Sequence, residues 1–312
     1  LGLAFGLAIS LMILVYVQHE YRYDKFHAKQ DRIFRLSFHS SDGTETKSSC
    51  ISIAPMGPAL MQDLPEVKDF TRVSGGQSKT FSYQEKSITT NQARYADSSL
   101  FQMFDFGLAQ GSELHALRKP HELVLSQEQA GALFGEQNPI GKQVLVDDAT
   151  PYTVVGVMAK AKGESHLQFD ALLSFATLYT RNDVFLGWNG GWSYRTYLEL
   201  SPESTKEAVE SKFEDFFYDY LTYRYEEIGW TLEGFLQPLP DIYLKSDLDF
   251  DEPNLGNQMQ LYLYLTIAFL ILIIAGMNYM NLNTAQYLKR TKEVGLRKVA
   301  GAHPRQLISQ FL

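Results

Sequence analysis

Two uncharged apolar runs lie near the ends of this sequence, and a long segment of mixed polarity separates them. The second run, Leu261 to Leu282, would form a helix about 33 Å long at ~1.5 Å per residue. That length spans a membrane hydrocarbon core of roughly 30 Å. The first run, Leu1 to Val17, also lacks a charged residue and ends at Gln18. The pattern therefore predicts two transmembrane helices, the first of them truncated at its start.

The first run has two other interpretations, a signal peptide and a helix buried in a soluble core. A signal peptide requires a basic segment before the apolar run and a small-residue cleavage site, and neither is visible. Gly2 and Gly6 form a single G-x-x-x-G pattern, a weak signal of close helix packing in membranes. We therefore favour the transmembrane interpretation for Leu1 to Val17.

The residues that follow the second run are basic. They include one acidic residue, Glu293, and six basic ones: Lys289, Arg290, Lys292, Arg297, Lys298 and Arg305. A cluster of Lys and Arg beside a span marks the cytoplasmic side of the membrane. The segment between the runs then lies on the opposite side, with a net charge of about −13. This acidity argues against a nucleic-acid partner, is compatible with cationic or peptide partners, and fits a solvated acidic surface best.

The segment between the runs has the pattern of an α+β domain, because its strands and helices are interleaved without a regular βα period. Ser126 and Gln129 form a capping box that predicts a helix start, and Gly135 suits its C-terminal end. Ser204 opens a helix with an aromatic stripe that reaches Tyr220. Further predicted elements are strands at 32–38, 121–125 and 197–200, a helix at 54–64, a hairpin at 142–146 and 152–158, closing segments at 230–236 and 242–244, and loops at 75–76 and 187–191.

Two stretches resemble ligand-binding motifs without meeting their requirements. Gly135 to Lys142 looks like a phosphate-binding loop, but five residues separate its glycines and Gln143 follows the lysine. We interpret it as a helix cap followed by a turn. The alternating acidic residues of 247–251 look like the start of a calcium loop, but Glu252 stands where the loop needs glycine. A carboxylate cluster in a solvated linker is the preferred interpretation.

No pattern in the sequence predicts catalysis, a metal site or a cofactor. The histidines have no metal-ligand spacing and are predicted to be surface or interfacial side chains: His19, His27, His39, His115, His121, His166 and His303. The single cysteine, Cys50, excludes an intrachain disulfide and has no histidine arrangement that supports nucleophilic chemistry. We therefore expect a protein that is not an enzyme.

The basic tail predicts a helix that continues from the membrane through Thr284 to Ala300. Gly301 suits its end, and Pro304 suits the first turn of a second helix. One interpretation of this tail is a basic anchor on anionic lipid before the next membrane entry. The other interpretation is a short bend between two helices that binds a cytoplasmic partner. The residues alone leave both open.

The tail resembles the FtsX-like permease domain of MacB-type ABC transporters, over Asn281–Ala302 and Arg305–Leu312. The segment between the runs resembles the MacB-like periplasmic core domain. Its motifs resemble most those of the large permeases of Bacteroidota-type bacteria. The motifs that carry this second resemblance are Tyr23–His27 with Asp31–Arg35, Ala54–Pro58, Asp97–Phe106, Leu133–Gly135 with Asn138–Lys142, Ser165–Asp170 and Leu236–Asp241.

The resemblance implies a membrane protein in which two transmembrane α-helices flank a large α+β periplasmic domain of two lobes. Its parts would be a first transmembrane helix at 1–18, the periplasmic core domain at 19–258, a second transmembrane helix at 259–283, and a cytoplasmic coupling segment at 284–312. It implies a permease subunit in the bacterial inner membrane that carries the motion of a separate cytoplasmic ATPase to the periplasmic domain. The substrate would be of the peptide, drug or lipoprotein type.

The resemblance also places the coupling to the ATPase at Glu293, Gly295, Arg297, Lys298 and Gly301. It implies a dimer or pseudo-dimer of permease halves, contact with membrane lipid, and a periplasmic adaptor or outer-membrane channel as a further partner. Two alternatives stay open. One is a membrane sensor with a periplasmic sensing domain, and the other is an FtsX-like regulator of a periplasmic enzyme that transports nothing.

Overall fold

A computed structural model describes residues 2–222, 225, 227 and 229–299 of the chain. The chain divides into two compact units. The first, which we call the helical unit, comprises Leu1–Tyr21 and Asn257–Leu312, and the second, the sheet unit, comprises Arg22–Gly256.

The described helices and strands are numbered in chain order. The α-helices are α1 (Gly2–Glu20), α2 (Met56–Asp63), α3 (Leu100–Met103), α4 (Gln127–Phe134), α5 (Lys206–Glu210), α6 (Phe213–Phe217), α7 (Leu239–Lys245) and α8 (Gln258–Val299). The strands are β1 (Ile33–Ser41), β2 (Thr46–Ser49), β3 (Val67–Ser74), β4 (Gln77–Tyr83), β5 (Lys86–Ala96), β6 (Leu108–Gly111), β7 (Glu122–Leu125), β8 (Gln143–Val146), β9 (Thr150–Met158), β10 (Ala171–Ser174), β11 (Tyr194–Leu200) and β12 (Thr231–Pro238).

The helical unit consists of α1 packed against α8. A Cβ built on Gly6 would lie 2.6 Å from the Cβ of Ala275, so only glycine permits this approach of the two helices. The Ser10 hydroxyl donates a hydrogen bond to the Ala268 carbonyl at 3.1 Å. The prediction that Gly2 and Gly6 mark close helix packing is confirmed for Gly6 by this contact.

Both helices are long and apolar enough to cross a membrane, over Gly2–Glu20 and over Gln258–Gln286. Only 17% of the apolar window of each is buried. Large apolar side chains such as those of Met12 and Ile274 are instead exposed. A core helix would bury such side chains, so this exposure argues against the buried-helix interpretation of the first run.

The sheet unit is built on one continuous sheet of twelve strands. Six of them, in the order β10-β7-β9-β8-β4-β5, return to their start because β10 also pairs with β5, in parallel. This closed ring surrounds a core that includes Phe81, Tyr95, Leu123 and Val154, and α4 packs against it. Closure leaves these six strands without a free edge in the ring.

The other part of the sheet is open and continues from β5 through β3, β11, β1 and β12. On one face, α2, α5 and α6 cover apolar residues of β1, β11 and β12, such as Leu36, Leu198 and Leu236. Gly234 allows this packing, since a Cβ there would lie 2.1 Å from the ring of Phe217. Further apolar residues, including Phe104 of the segment after α3, form a third core cluster.

Several predicted elements are confirmed. Ser126 caps α4, accepting a hydrogen bond from the Gln129 backbone N–H at 3.1 Å, and Gly135 follows the helix with a φ of 61°. The hairpin forms between β8 and β9. The loops predicted at 75–76 and 187–191 also lie outside helices and strands.

The helix predicted to open at Ser204 is different in the structure. Its cap is Thr205, whose hydroxyl accepts from the Ala208 N–H at 3.3 Å, and the helical stretch breaks into α5 and α6. The break follows Ser211, whose hydroxyl donates to the Ala208 carbonyl. Such a local side-chain bond competes with the helical ladder, which explains why an aromatic stripe did not guarantee one continuous helix.

Candidate functional site

The predicted coupling residues lie at the C-terminal end of α8. Glu293, Gly295, Arg297 and Lys298 all fall within this helix, whose backbone is described to Val299. Glu293 and Arg297 are four residues apart, which is about one helical turn. Gly301 lies outside the described residues.

The end of the sheet unit, just before α8, is attached to the sheet by a buried ion pair. Arg35 of β1 is fully buried and holds both carboxylate oxygens of Asp251, at 2.6 and 2.7 Å. Gln237 and Ser246 accept further bonds from the same guanidinium group. Burial would raise the pKa of Asp251, but the bonds and charge of Arg35 outweigh it and hold that pKa below its usual value.

A second buried attachment lies one residue further along. Both terminal nitrogens of Arg94, on β5, donate to Glu252 at 2.7 Å. Arg195, on β11, places its Nε 3.2 Å from the same carboxylate, although the geometry is not that of a hydrogen bond. Burial would raise the pKa of Glu252, yet the bonds from Arg94 and the two positive charges keep it below its usual value. The cluster therefore holds two cations and one anion.

The start of the sheet unit, just after α1, has a comparable attachment. Asp24 is fully buried, and it accepts a bond from the Ser165 hydroxyl at 2.5 Å. His166 Nδ1 lies 2.8 Å from the same carboxylate, and its Nε2 lies 2.8 Å from the Tyr197 hydroxyl. Despite burial, these contacts hold the pKa of Asp24 below its ordinary value. Both ring nitrogens of His166 therefore have a partner inside the fold.

His27 completes this buried group. Its Nδ1 accepts a hydrogen bond from the Asp105 backbone N–H at 3.0 Å, so a neutral ring carries its proton on Nε2. That nitrogen lies 3.8 Å from Asp24 and makes no hydrogen bond. Burial, only partly offset by the charges of Asp24 and Asp105, lowers the pKa of His27 to about 4.

Two predictions about polar residues are therefore wrong. His27 and His166 are buried rather than superficial. The His27 ring has the Asp105 backbone N–H as its partner, and the His166 ring has Asp24 and Tyr197. Asp251 does not belong to a solvated cluster, because its carboxylate forms a buried ion pair with Arg35. One signal was available in the sequence: Arg35 stands between Phe34 and Leu36 in an alternating strand. An arginine buried in such a strand needs an acidic partner.

The sheet unit also contains a cavity of about 700 Å³. Its walls come from β1, β2, β11, β12 and the residues next to them, from the turn between β3 and β4, and from Phe250, and half of the lining residues are aromatic or aliphatic. Trp192 packs edge-to-face on Phe38, with ring centres 5.1 Å apart, and on Tyr225 at 6.5 Å. The aromatic stretch at 188–197 therefore contributes both to a packed core and to a cavity wall.

The phosphate-loop lookalike forms a turn. After Gly135, the Asn138 side chain accepts from the Ile140 N–H at 3.0 Å, and the Gly141 N–H donates to the Val154 carbonyl. These bonds use the backbone groups within the protein, which agrees with a helix cap followed by a turn. Among the described residues, no group of three His, Cys, Asp or Glu side chains is placed to hold a metal ion.

Comparison with known families places the chain in a class. The sequence profile of the MacB-like periplasmic core domain matches residues 1–216, and that of the FtsX-like permease C-terminal domain matches residues 265–312. The chain belongs to the MacB-like periplasmic core domain family, and its residues 265–312 match the FtsX-like permease C-terminal family. This confirms the resemblance found in the sequence.

Individual relatives agree with this class. The chain is 25% identical over 262 residues to the pyoverdine export ATP-binding/permease protein PvdT of Pseudomonas syringae pv. tomato, covering 81% of this chain and 36% of that protein. It is 26% identical over 192 residues to the macrolide export ATP-binding/permease protein MacB of Haemophilus ducreyi, covering 61% and 24%. The chain thus spans about a third or less of these relatives.

A crystal structure shares the fold of the sheet unit. It is a domain from Porphyromonas gingivalis described as part of a permease, with a TM-score of 0.59 and 20% identity, covering 68% of this chain and 91% of that one. At this identity the likeness concerns the fold alone.

Proposed function

We propose that this chain is part of the permease component of an inner-membrane ABC exporter. A separate cytoplasmic ATPase supplies the energy, and α1 and α8 cross the membrane and carry its motion to the sheet unit in the periplasm. The cargo is of the peptide, drug or lipoprotein type. Support comes from the family match and from the names of the relatives, which combine export with ATP binding and a permease.

The observation that carries this proposal is the way both connections to the helices are attached to the sheet. Asp24 lies three residues beyond the helical unit, and Glu252 lies five residues before it resumes. Each is held by buried polar or charged partners on other elements. Breaking a buried ion pair by removing one partner costs about 3–5 kcal/mol. Force arriving along either connection would therefore reach β5 and β11 rather than be absorbed by a flexible linker.

Within this proposal the end of α8 is the coupling element. Glu293, Gly295, Arg297, Lys298 and Gly301 contact the ATPase, with the glycines permitting close approach. The permease acts as a dimer or pseudo-dimer, in contact with membrane lipid. A periplasmic adaptor or an outer-membrane channel receives the cargo. The two lobes expected of the periplasmic domain remain a prediction, for which the closed ring and the open sheet are the candidates.

The test uses the full-length permease co-expressed with its ATPase. Single cysteines replace Glu293 or Arg297 in a Cys50→Ser background, and a matched cysteine replaces Met277, an exposed residue in the apolar part of α8. We expect thiol crosslinks to the ATPase from 293 or 297 and none from 277, with altered permease-dependent ATP turnover for the first two alone. An ATPase that neither crosslinks nor responds to the permease would refute the proposal. Coupled turnover without export would favour the regulator of a periplasmic enzyme.

A further inference from the structure

The cavity in the sheet unit has the size and wall chemistry of a small-molecule site. Its volume of about 700 Å³ falls within the roughly 300–1,000 Å³ typical of ligand pockets. Such pockets combine apolar walls with a few polar groups that fix orientation. Here Phe38, Trp192 and Trp230 supply ring faces and edges, and Arg195 supplies the charged group.

The charge beside the cavity is positive. Arg195 is 6% exposed, and it lies with Arg94 against the single carboxylate of Glu252. These three buried groups carry two positive charges and one negative charge, which leaves one positive charge in excess. This excess is uncommon in a sheet unit whose overall charge is negative. Buried cations are usually neutralised, so an anion that enters the cavity would complete the cluster.

The guanidinium group of Arg195 retains a donor for such an anion. Its Nη2 donates to the Phe250 carbonyl at 2.5 Å. Within the described part of the chain, Nη1 makes no hydrogen bond. Gly75, which also lines the cavity, lies beside this nitrogen: a Cβ built on it would be 3.5 Å from Nη1, an ordinary contact distance.

Phe250 adds an aromatic ring at the cavity. Its side chain is 68% exposed, and its φ of 61° lies in the left-handed region that favours glycine. A bulky residue in this conformation is strained and is found where the surrounding structure holds it. Here the bond from Arg195 to its carbonyl contributes to holding it. The arrangement keeps an apolar ring in contact with water at a cavity that a ligand can enter.

We propose that this cavity binds an amphipathic organic anion of drug size, with its aromatic or branched apolar body among Trp192, Trp230 and Phe250 and its anionic group on Arg195. The binding site is independent of the exporter assignment. That its ligand is the cargo rests on the proposed function.

The test compares a matched pair of probes, 2-naphthalenesulfonate and the neutral 2-naphthalenesulfonamide, which share their rings and differ in charge. Each is titrated by calorimetry into the full chain in lipid nanodiscs, with empty nanodiscs as the blank. We expect the sulfonate to bind at least ten times more tightly than the sulfonamide. Equal affinities, tighter binding of the sulfonamide, or no binding of either probe would overturn the proposal.

Two variants locate the binding. Arg195→Gln should reduce the affinity for the sulfonate to that for the sulfonamide. Ser193→Trp places a large ring at an exposed position of the cavity wall and should abolish binding of both. Because Arg195 is buried and its variant can fail to fold, Ser193→Trp is decisive. Undiminished binding to a folded Ser193→Trp would place the probe elsewhere and overturn the proposal. Neither titration involves an ATPase, so this result stands apart from the crosslinking result above.

Discussion

Removing the charge of Glu252 should destabilise the sheet unit strongly. Glu252 is 8% exposed and accepts two bonds from Arg94 at 2.7 Å, with Arg195 nearby at 3.2 Å. Glu252→Gln keeps the shape of the side chain but leaves two buried guanidinium groups without an anion. Uncompensated buried charge of this kind costs about 3–5 kcal/mol. With a urea slope of about 3 kcal/mol/M, the unfolding midpoint should fall by at least about 1 M.

Tryptophan fluorescence reports on this unit selectively. The three tryptophans, Trp188, Trp192 and Trp230, all lie in the sheet unit, so urea unfolding in detergent can be followed without signal from the helices. The matched control is Asp241→Asn, which removes a partly exposed carboxylate paired with the exposed Lys245 on α7. An exposed pair of this spacing contributes only about 0.3–0.5 kcal/mol. A Glu252→Gln midpoint no lower than that of the control would refute the argument, and would mean that water reaches both arginines.

Three further predictions concern the same unit. Burial lowers the pKa of His27 from 6.5 to about 4, so the unfolded state binds the proton of His27 first as the pH falls. The free energy of unfolding should therefore drop by about 3 kcal/mol between pH 6.5 and 4. His27→Gln should flatten this dependence, measured by urea titration at each pH. Gly234→Ala, whose Cβ would lie 2.1 Å from Phe217, should cost about 1–3 kcal/mol, whereas the exposed Gly131→Ala should not destabilise. Ser126→Ala should cost about 1 kcal/mol through the lost cap on Gln129, and Ser126→Thr much less.

Each of these results has a contrary outcome. An unchanged pH slope in His27→Gln would mean that the ring is solvated enough to titrate normally. Equal midpoints for the two glycine variants would mean that Phe217 moves aside without loss of packing. A neutral Ser126→Ala would assign the start of α4 to tertiary packing rather than to its cap.

The elements predicted well from the sequence are those whose signal is local. The cap of α4 depends on Ser126 and Gln129, three residues apart, and the hairpin on two apolar runs around a short turn. The apolar runs at both ends needed only length and composition. These patterns act within a few residues, so tertiary contacts did not alter them.

The strands from β3 to β5 were not predicted, because their own residues carry little strand signal. Residues 77–83 and 86–96 are largely polar, and few of their positions show apolar alternation. β4 and β5 pair with each other as a hairpin, while β3 pairs with the distant β11, β4 with β8 and β5 with β10. Pairing of this kind overrides weak intrinsic propensity.

The buried attachments were missed for a related reason. Their main contacts join residues that are 142 positions apart for Asp24 and His166, 158 for Arg94 and Glu252, and 216 for Arg35 and Asp251. A single sequence shows the charges but not which of them meet. The cavity likewise depends on six segments that are separate in the sequence, so no single stretch could predict it.

The position of β1 between β11 and β12 has a consequence for the order of events during synthesis. The first half of β1 pairs with β11 and β12, which are synthesised much later. β2 is synthesised soon after β1, but it pairs only with Phe38–Ser41. About 150 residues separate the end of β1 from the start of β11. At ~5–20 residues per second, the ribosome needs roughly 8–30 s to produce them. For that time Phe34 and Leu36 have no sheet partner, and a nascent chain in this state is prone to aggregate. We therefore expect its maturation to depend on a chaperone that binds the N-terminal part until β12 has emerged.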